Sequence, residues 1–365
     1  MEKIKIGIIG CGNISQAYFN GAKIFKNIEV VACADLNRAA ADAKATENNV
    51  KAMGVEELLA DRKIDIVLNL TIPKVHAELN MRILEAGKHA YCEKPLAVTK
   101  ADAERTLALA KKKKLRVGCA PDTFLGAGLQ TCRKVIDDGW IGRPIGGTAF
   151  MMGHGPEAWH PNPMFFYEKG AGPMLDMGPY YVTALIHLLG PVKSVCATTA
   201  ISFPERVATC EQHFGRRLSV EVQTHLSGTL EFVSGALVTM VMSFDVWRHG
   251  HSPIEIYGSE GSMQVPDPNT FGGPVRLFRP GAEAWADSVL THKYAKGSRS
   301  IGMADMAKGI QDKRPHRCSG DLAYHALDVM LSFEESSKTR RHVELKSQCD
   351  QPKAFPTDQI EGVLD

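Results

Sequence analysis

The sequence predicts an α/β protein in two parts. A doubly wound parallel sheet is expected over residues 1–122, followed over 123–365 by a second α/β unit with a large open, mostly antiparallel sheet. Three observations carry that expectation. Short apolar runs alternate with helical patterns as far as about residue 120, which implies parallel strands covered on both faces. A glycine-bearing turn opens a helix directly behind the first of those runs. In the second half, apolar and polar residues alternate, so that every second side chain can face a core.

The first unit reads as the strands IKIGIIG, EVVACAD, DIVLNL, KHAYC and LRVGCA, with helical spacing between them. In the second, GLQTCRKVIDDGWIG is a helix, LSVEVQTHL and ALVTMVMSF are strands, VPDPNTFGGP is a loop, and DLAYHALDVMLSFEESS is a closing helix. Both faces of ALVTMVMSF are rather apolar. The second sheet is therefore expected to join copies of the chain into a homo-oligomer, a dimer or tetramer, because a monomer would leave one face wet. Lys111 to Lys114 end a helical pattern, where cations complement the helix dipole, and read as a solvated helix end.

Composition narrows the function classes. With 44% hydrophobic and 23% charged residues and a formal net charge of +2, the chain is neither disordered nor a polyanion binder, so no nucleic-acid partner is expected. Its nine cysteines are odd in number and never spaced as CxxC, which fits free thiols in a reducing compartment better than bridges or zinc. No metal is expected. No apolar run approaches the ~20 residues of a membrane span, and the opening strand leaves no room for a signal peptide. A cytoplasmic location without a membrane partner follows as the expectation.

IGIIGCGNIS supplies Gly10-x-Gly12-x-x-Ser15 between the first strand and the first helix. Gly10 permits the tight turn, and Gly12 lets backbone amides approach a pyrophosphate. Asn13 and Ile14 complete the loop, and the small Ser15 keeps helix and strand close. Asp35 ends the second strand about 20 residues further on, where a carboxylate accepts hydrogen bonds from both ribose hydroxyls and repels a 2′-phosphate. The pattern is that of a Rossmann dinucleotide site with NAD favoured; Arg38 leaves NADP open. Thr71-Ile72-Pro73 then bends at the carboxyl end of a strand, where ligands of such sheets bind, and His76 opens a helix ended by Gly87. The next strand delivers Glu93-Lys94-Pro95.

Taken together, the glycine turn, Asp35, TIPKVH, AGKH, EKP and GAGPMLDMG make the chain resemble the Gfo/Idh/MocA family, glucose-fructose oxidoreductase, inositol dehydrogenase and their relatives, over nearly its whole length. The resemblance implies an NAD(P)-binding Rossmann domain followed by a substrate-binding and oligomerisation domain, with the site between them. Thr71, Pro73, His76, Glu93 and Lys94 then fall among the cofactor contacts. The E-K-P lysine, Lys94, is implied to lie near the nicotinamide and the substrate hydroxyl, and Pro95 to set the backbone there. A lysine beside a cationic nicotinamide has a reason to lose its charge and relay a proton. The competing assignment, a surface ion pair between Lys94 and Glu93, is disfavoured because adjacent strand residues point to opposite faces.

The family signature in the second domain is roughly G-G-G-x-x-x-D-x-G-x-H, in which the aspartate orients the site and the histidine often acts as acid/base. Asp176 and Gly178 match it, but Tyr180 holds the histidine position. A phenol with a reference pKa of about 10 is a poor base at neutral pH and needs a nearby cation, for which Lys94 is the candidate. Alternatively a histidine from another loop takes the proton. His160, in WHPNP, ranks ahead of His154, His249 and His251. Asp176 is also readable as a helix N-cap ahead of Gly178-Pro179, and of Tyr180 and Tyr181 at least one is expected in the core. Asp122 and Thr123 are candidate partners for sugar hydroxyls, with Trp159 and Tyr181 as further substrate contacts and Phe124 and Trp247 as available aromatic platforms. His187 reads as structural; Tyr324 and His325 are named without a role.

The reading that follows is an NAD-dependent oxidoreductase acting on a secondary hydroxyl of a sugar, cyclitol or glycoside. APDTFLGAG, WHP and DMGPYY are more similar to glycoside-handling members of the family, some of which oxidise the sugar at C3. Two alternatives stand beside it: a glycosidase or lyase that uses tightly bound NAD as a transient redox relay, and a sugar-sensing regulator.

Overall fold

The computed structural model describes residues 2–365. Its first sheet has six parallel strands: β1 (Ile4–Ile9), β2 (Ile28–Ala34), β3 (Lys51–Met53), β4 (Ile66–Asn69), β5 (His89–Cys92) and β6 (Val117–Cys119). They lie in the order β3-β2-β1-β4-β5-β6, so the chain reverses its direction of winding between β1 and β4. The crevice outside the carboxyl ends at such a reversal is where an open α/β sheet binds its ligand. Helices α1 (Ser15–Ala22), α2 (Arg38–Asn48), α3 (Val55–Ala60), α4 (Pro73–Glu85) and α5 (Lys100–Lys113) make the crossovers. Every residue of β4 is buried, as expected of a strand covered on both faces.

The second unit contains α6 (Ala127–Asp137), β7 (Pro144–Met152), α7 (Gly172–Leu189), β8 (Val192–Ala200), and the short hairpin of β9 (Glu205–Val207) with β10 (Arg217–Ser219). Then follow β11 (His225–Phe232), β12 (Leu237–Ser243), β13 (Ile254–Gly258), β14 (Ser262–Val265), β15 (Val275–Phe278) and β16 (Ala286–Ser288). The chain ends with α8 (Ile301–Gln311), α9 (Gly320–Thr339) and β17 (Val343–Glu344). Nine strands form one sheet in the order β16-β15-β14-β13-β7-β12-β11-β8-β17, in which only β7 and β12 run parallel.

Two sequence expectations change here. LSVEVQTHL is not one strand: β10 stops at Ser219 and β11 begins at His225, because the amides of Val220 and Glu221 are taken by the carbonyls of Pro204 and Tyr167. The faces of β12 also differ. Val238, Met240 and Met242 are buried under α7, whereas Leu237 and Thr239 are exposed and Val241 is half-buried. Thr239 lies in a cross-strand row with Thr229, Thr148, Glu255 and Gln264, so the open face is largely polar around its apolar members.

The last helices return to the first sheet. Ser319 bridges to Gly118 on the edge strand β6, Asn27 donates to the Ala304 carbonyl at 2.9 Å, and Ser300 Oγ donates to the Tyr18 carbonyl at 2.9 Å. One continuous core holds residues from both units. The expected division at residue 122 thus follows order along the chain, while the segment from about residue 298 packs against the first unit.

Candidate active site

The glycine turn is built as its residue types require. Gly10 has φ +105°, and a side chain there would strike the Leu70 carbonyl. At Gly12 the space beside the backbone is empty, and Gly12, Asn13 and Ile14 are exposed. No side chain caps the first turn of α1, where the Ser15 and Ala17 amides bond to the carbonyls of Gly12 and Ile14. Asp35 is half-buried beside the turn, one carboxylate oxygen accepting from Cys11 N at 2.7 Å and the other from Asn37 N at 2.8 Å. Its remaining lone pairs are free for ribose hydroxyls. Arg38 is paired with Asp42 at 2.9 Å on the surface of α2.

A cavity of about 300 Å³ continues from this turn, lined by Ile14, Thr71, Pro73, His76, Glu93, Lys94, Pro95, Phe165, Gly170, Ala171, Leu175, Asp176 and Tyr180. Both units therefore contribute walls. Thr71 is set by the buried Asn69, whose Oδ1 accepts from the Thr71 hydroxyl at 2.6 Å. His76 acts as a strut: Nδ1 lies 2.7 Å from the Pro95 carbonyl and Nε2 lies 3.0 Å from that of Thr71. Burial holds its pKa below the usual imidazole value, against the pull of the two carbonyls. At the rim, Lys74 pairs with Glu168 at 2.8 Å across the units. A wider depression of about 720 Å³, lined by Glu56, Arg82, Lys88 and His89, lies at the opposite end of the first sheet and holds none of the expected site residues.

Lys94 Nζ donates to Asp176 Oδ1 at 2.9 Å and to the Asp176 carbonyl at 2.6 Å, and stands 5.2 Å from the centre of the Tyr180 ring. Burial would strip its proton, but the Asp176 and Glu93 carboxylates, the Tyr180 phenol oxygen and the hydrogen bond to Asp176 outweigh that, and its pKa is raised. The protein groups around Lys94 thus favour its ammonium form, and the expected loss of charge rests on the nicotinamide cation alone. Glu93 is not its surface partner: it is buried, accepting from Tyr18 OH at 2.7 Å and from Lys94 N at 3.0 Å. Burial alone would raise the Glu93 pKa, but Arg299, Lys94 and the Tyr18 hydrogen bond bring it below the usual carboxylate value.

Asp176 is not an N-cap. α7 begins at Gly172, and Pro179 lies inside it. Gly170 and Gly172, at φ +91° and +85°, let the chain turn tightly into this helix. Pro179 has no N–H for the ladder, so the carbonyl it leaves without a helical partner is that of Leu175, four residues earlier; the neighbouring Asp176 carbonyl accepts from Lys94 Nζ. One turn further, Tyr180 is 6% exposed and faces the cavity. Burial raises its pKa, Lys94 and Arg299 pull it back, and Glu93 adds to the rise; the net direction is upward.

Several expected contacts fall outside the cavity. Tyr181, 4% exposed, points into the core and donates to the Phe150 carbonyl at 3.3 Å. Asp122 is wholly buried, accepting from Gly302 N at 3.2 Å, and Thr123 is buried in a short helical turn. Their polarity suggested sugar hydroxyls, but no open surface reaches them. Phe124 is buried against His187, which is itself in the core. His160 sits against Phe166 with Nδ1 accepting from Asn162 N at 3.0 Å, and it does not line the cavity. Trp159 is exposed beside it. His154 stacks on Trp247, and His249 on His251, in other loops. Tyr324 donates to Glu104, and His325 accepts from Val192 N, both away from the cavity.

Sequence reasoning missed Arg299. Its guanidinium donates to Tyr180 OH at 3.2 Å, and it comes within 3.9 Å of Glu93 Oε1. The signals that point to it are indirect: a side chain on Gly21 would run into the Arg299 carbonyl, and Ser300 adopts φ 85°, rare for a residue with a side chain. Among the described residues, no group of three or more His, Cys, Asp or Glu is placed to hold a metal, and no helix is long and apolar enough to cross a membrane.

A parallel sheet wound in this order, an open glycine turn, a carboxylate at the end of β2 and a cavity where the two units meet, with Lys94, Asp176 and Tyr180 in its lining, define a dinucleotide-dependent oxidoreductase. The chain belongs to the Gfo/Idh/MocA oxidoreductases: residues 4–120 match the oxidoreductase family with NAD-binding Rossmann fold, and residues 129–264 match the GFO/IDH/MocA C-terminal domain. It is 30% identical over 313 residues to dTDP-3,4-didehydro-2,6-dideoxy-alpha-D-glucose 3-reductase of Saccharopolyspora spinosa, covering 84% of this chain and 85% of that one. Against myo-inositol 2-dehydrogenase of Thermotoga maritima it is 25% identical, covering 94% and 99%. In fold it is similar to levoglucosan dehydrogenase in complex with NADH and L-sorbose, with a TM-score of 0.80 at 21% identity, covering 95% and 100% of the two chains. The cofactor of this Rossmann domain is NAD, and the turn, Asp35 and the cavity wall fit it.

Proposed function

We propose that the chain moves a hydride between a secondary hydroxyl of a sugar, cyclitol or glycoside and NAD, with Lys94, Asp176 and Tyr180 managing the hydroxyl. The observation that carries this is the meeting of all three side chains on one wall of the cavity that Ile14, Thr71 and Pro73 continue toward the glycine turn. The names of the relatives, a hexose 3-reductase and an inositol dehydrogenase, support the substrate class, and the former agrees with the reading of glycoside C3 as the oxidised carbon. Nothing in those names favours the redox-relay lyase or the sugar sensor.

NAD supplies the hydride acceptor or donor when bound. The chain's own work is at the oxygen. Lys94 has three N–H donors, two of them spent on Asp176, which leaves one for the substrate oxygen. Asp176 keeps that ammonium charged and oriented. Tyr180, on the same wall, exchanges the hydroxyl proton. The test is to titrate purified protein with free sugars and glycosides while following nicotinamide absorbance, with product chromatography to separate net oxidation from elimination. No absorbance change with any of them would sink the reading.

The proposal extends to assembly and location. Copies of the chain join through the open face of the nine-stranded sheet, where Leu237 is 54% exposed and Val241 half-buried. Light scattering that gives a monomer at micromolar concentration would defeat it. The reading places the protein in the cytoplasm, in keeping with nine free cysteines.

A further inference from the structure

Tyr180 stands where a better base would ordinarily be found, and burial makes its phenol harder to ionise. A second cation, outside the cavity lining, reaches the phenol oxygen. Arg299 Nη2 donates to the phenol oxygen at 3.2 Å, with the guanidinium carbon 5.8 Å from the ring centre. Arg299 is not among the cavity-lining residues, so it reaches substrate only through Tyr180. It is also firmly held. The glycine at 21 lets the Arg299 backbone cross α1 closely, Ser300 Oγ ties the next residue to the Tyr18 carbonyl, and Tyr18 OH in turn donates to Glu93.

We propose that Arg299 is the positioning residue that makes Tyr180 competent as the acid/base, donating a charge-assisted hydrogen bond to the phenol oxygen that strengthens when that oxygen becomes a phenolate. The inference rests on the assignment of the proton to Tyr180 made above. An arginine is always a donor, so the bond occupies an acceptor position of the oxygen and never competes for the proton. In the oxidising direction the substrate C–H bond breaks and its electron pair leaves as hydride to NAD. The O–H proton passes to the phenolate oxygen, and the C–O bond becomes C=O. In the reducing direction the phenol returns the proton, and the guanidinium offsets the charge left behind.

Other charges facing this pair are few and bear on it differently. Glu93 at the end of β5 and Asp122 after β6 hold Arg299 in place by attraction, with Tyr18 of α1 bridging to Glu93. Lys94 stands 5.2 Å from the centre of the Tyr180 ring, Asp176 on the same helix is engaged with Lys94, and His76 of α4 shares the cavity and is held toward neutrality by burial. Arg299 and Lys94 are thus the two cations available to a phenolate at Tyr180.

The deciding experiment is the pH profile of turnover in the full-length chain for Arg299→Met, Arg299→Lys, Tyr180→Phe and the double variant Arg299→Met/Tyr180→Phe, with NAD binding as the folding control. Arg299→Met should keep NAD binding, lose about tenfold or more in turnover, and move the acidic limb of the oxidation profile to higher pH. Arg299→Lys, or guanidinium ion added to Arg299→Met, should recover part of the loss. In the Tyr180→Phe background the Arg299 change should cost nothing further. An unmoved limb in Arg299→Met, or a full additional loss in the double variant, overturns the inference while leaving Tyr180 in its role. Unchanged turnover in Tyr180→Phe overturns both assignments. If Arg299→Met fails to bind NAD, Arg299→Lys decides: an acidic limb displaced to higher pH in that folded variant supports the inference, and an unmoved limb with unchanged turnover rejects it.

Discussion

Lys94 and Asp176 meet across 82 residues of chain, the ammonium donating both to the carboxylate and to the backbone carbonyl of the same residue. The double contact ties the end of β5 to α7 and so joins the two units at the cavity between them. Lys94→Ala should therefore lose about 10²-fold to 10³-fold or more in turnover while still binding NAD, measured by cofactor fluorescence. The pairing raises the Lys94 pKa, so its contribution to stability is complete below the ordinary lysine value and fades only as the pH climbs through the higher folded-state value. No loss of activity between pH 6 and about 9 should trace to Lys94.

Tyr180→Phe keeps the ring that Lys94 and Arg299 face and removes only the oxygen. Turnover should fall about 10²-fold to 10⁴-fold. His160→Ala should leave turnover close to that of the unmodified enzyme, because His160 sits on Phe166 outside the cavity. A large loss in His160→Ala with little in Tyr180→Phe would reverse the assignment.

Replacing Asp35 by Ser should weaken NAD and narrow its advantage over NADP. Both carboxylate oxygens also accept backbone amides, from Cys11 and Asn37, so the variant loosens the turn as well. Asp35→Asn, which keeps one acceptor oxygen, should retain more NAD affinity than Asp35→Ser. Equal affinity of the unmodified protein for NAD and NADP would remove Asp35 from its role.

Asp122 offers a test that does not involve catalysis. Burial pushes its pKa up to about 6, only partly countered by Arg299 and the Gly302 amide. The folded state then holds a proton that the unfolded chain releases, so this residue's contribution to stability falls as the pH rises from about 4 to about 6 and stays low above that. Asp122→Asn should flatten that slope. Its stability relative to the unmodified protein should improve by an amount on the order of 3 kcal/mol between pH 4 and pH 7, read from denaturant midpoints.

Much of the site was legible because it is local. The turn from Gly10 to Ser15, the carboxylate at Asp35 and the adjacent Glu93 and Lys94 are set by a few residues whose backbone and side-chain demands are visible in order along the chain. Asp122, Thr123 and Tyr181 misled for the opposite reason. Their chemistry suits sugar hydroxyls, but whether a polar group meets a ligand or the Gly302 amide depends on what covers it, and the cover comes from residues far away in sequence. Arg299 was hidden for the same reason: it stands 119 positions beyond Tyr180 in a loop without a motif. The broken strand at 220–224 shows the same limit, since its alternation is sound but the hairpin and the Tyr167 loop claim its amides.

The return of the C-terminal helices to β6 sets an order of events during synthesis. Until residues 318 and 319 have left the ribosome, β6 is an unpaired edge, and the site lacks Arg299 until residue 299 has emerged shortly before them. A nascent chain that has finished its first sheet is still open on one side and carries a strand able to pair with any neighbour. Closure of that edge and completion of the wall behind Tyr180 come from the same stretch of late sequence, so a chain cut short before it would be both inactive and adhesive.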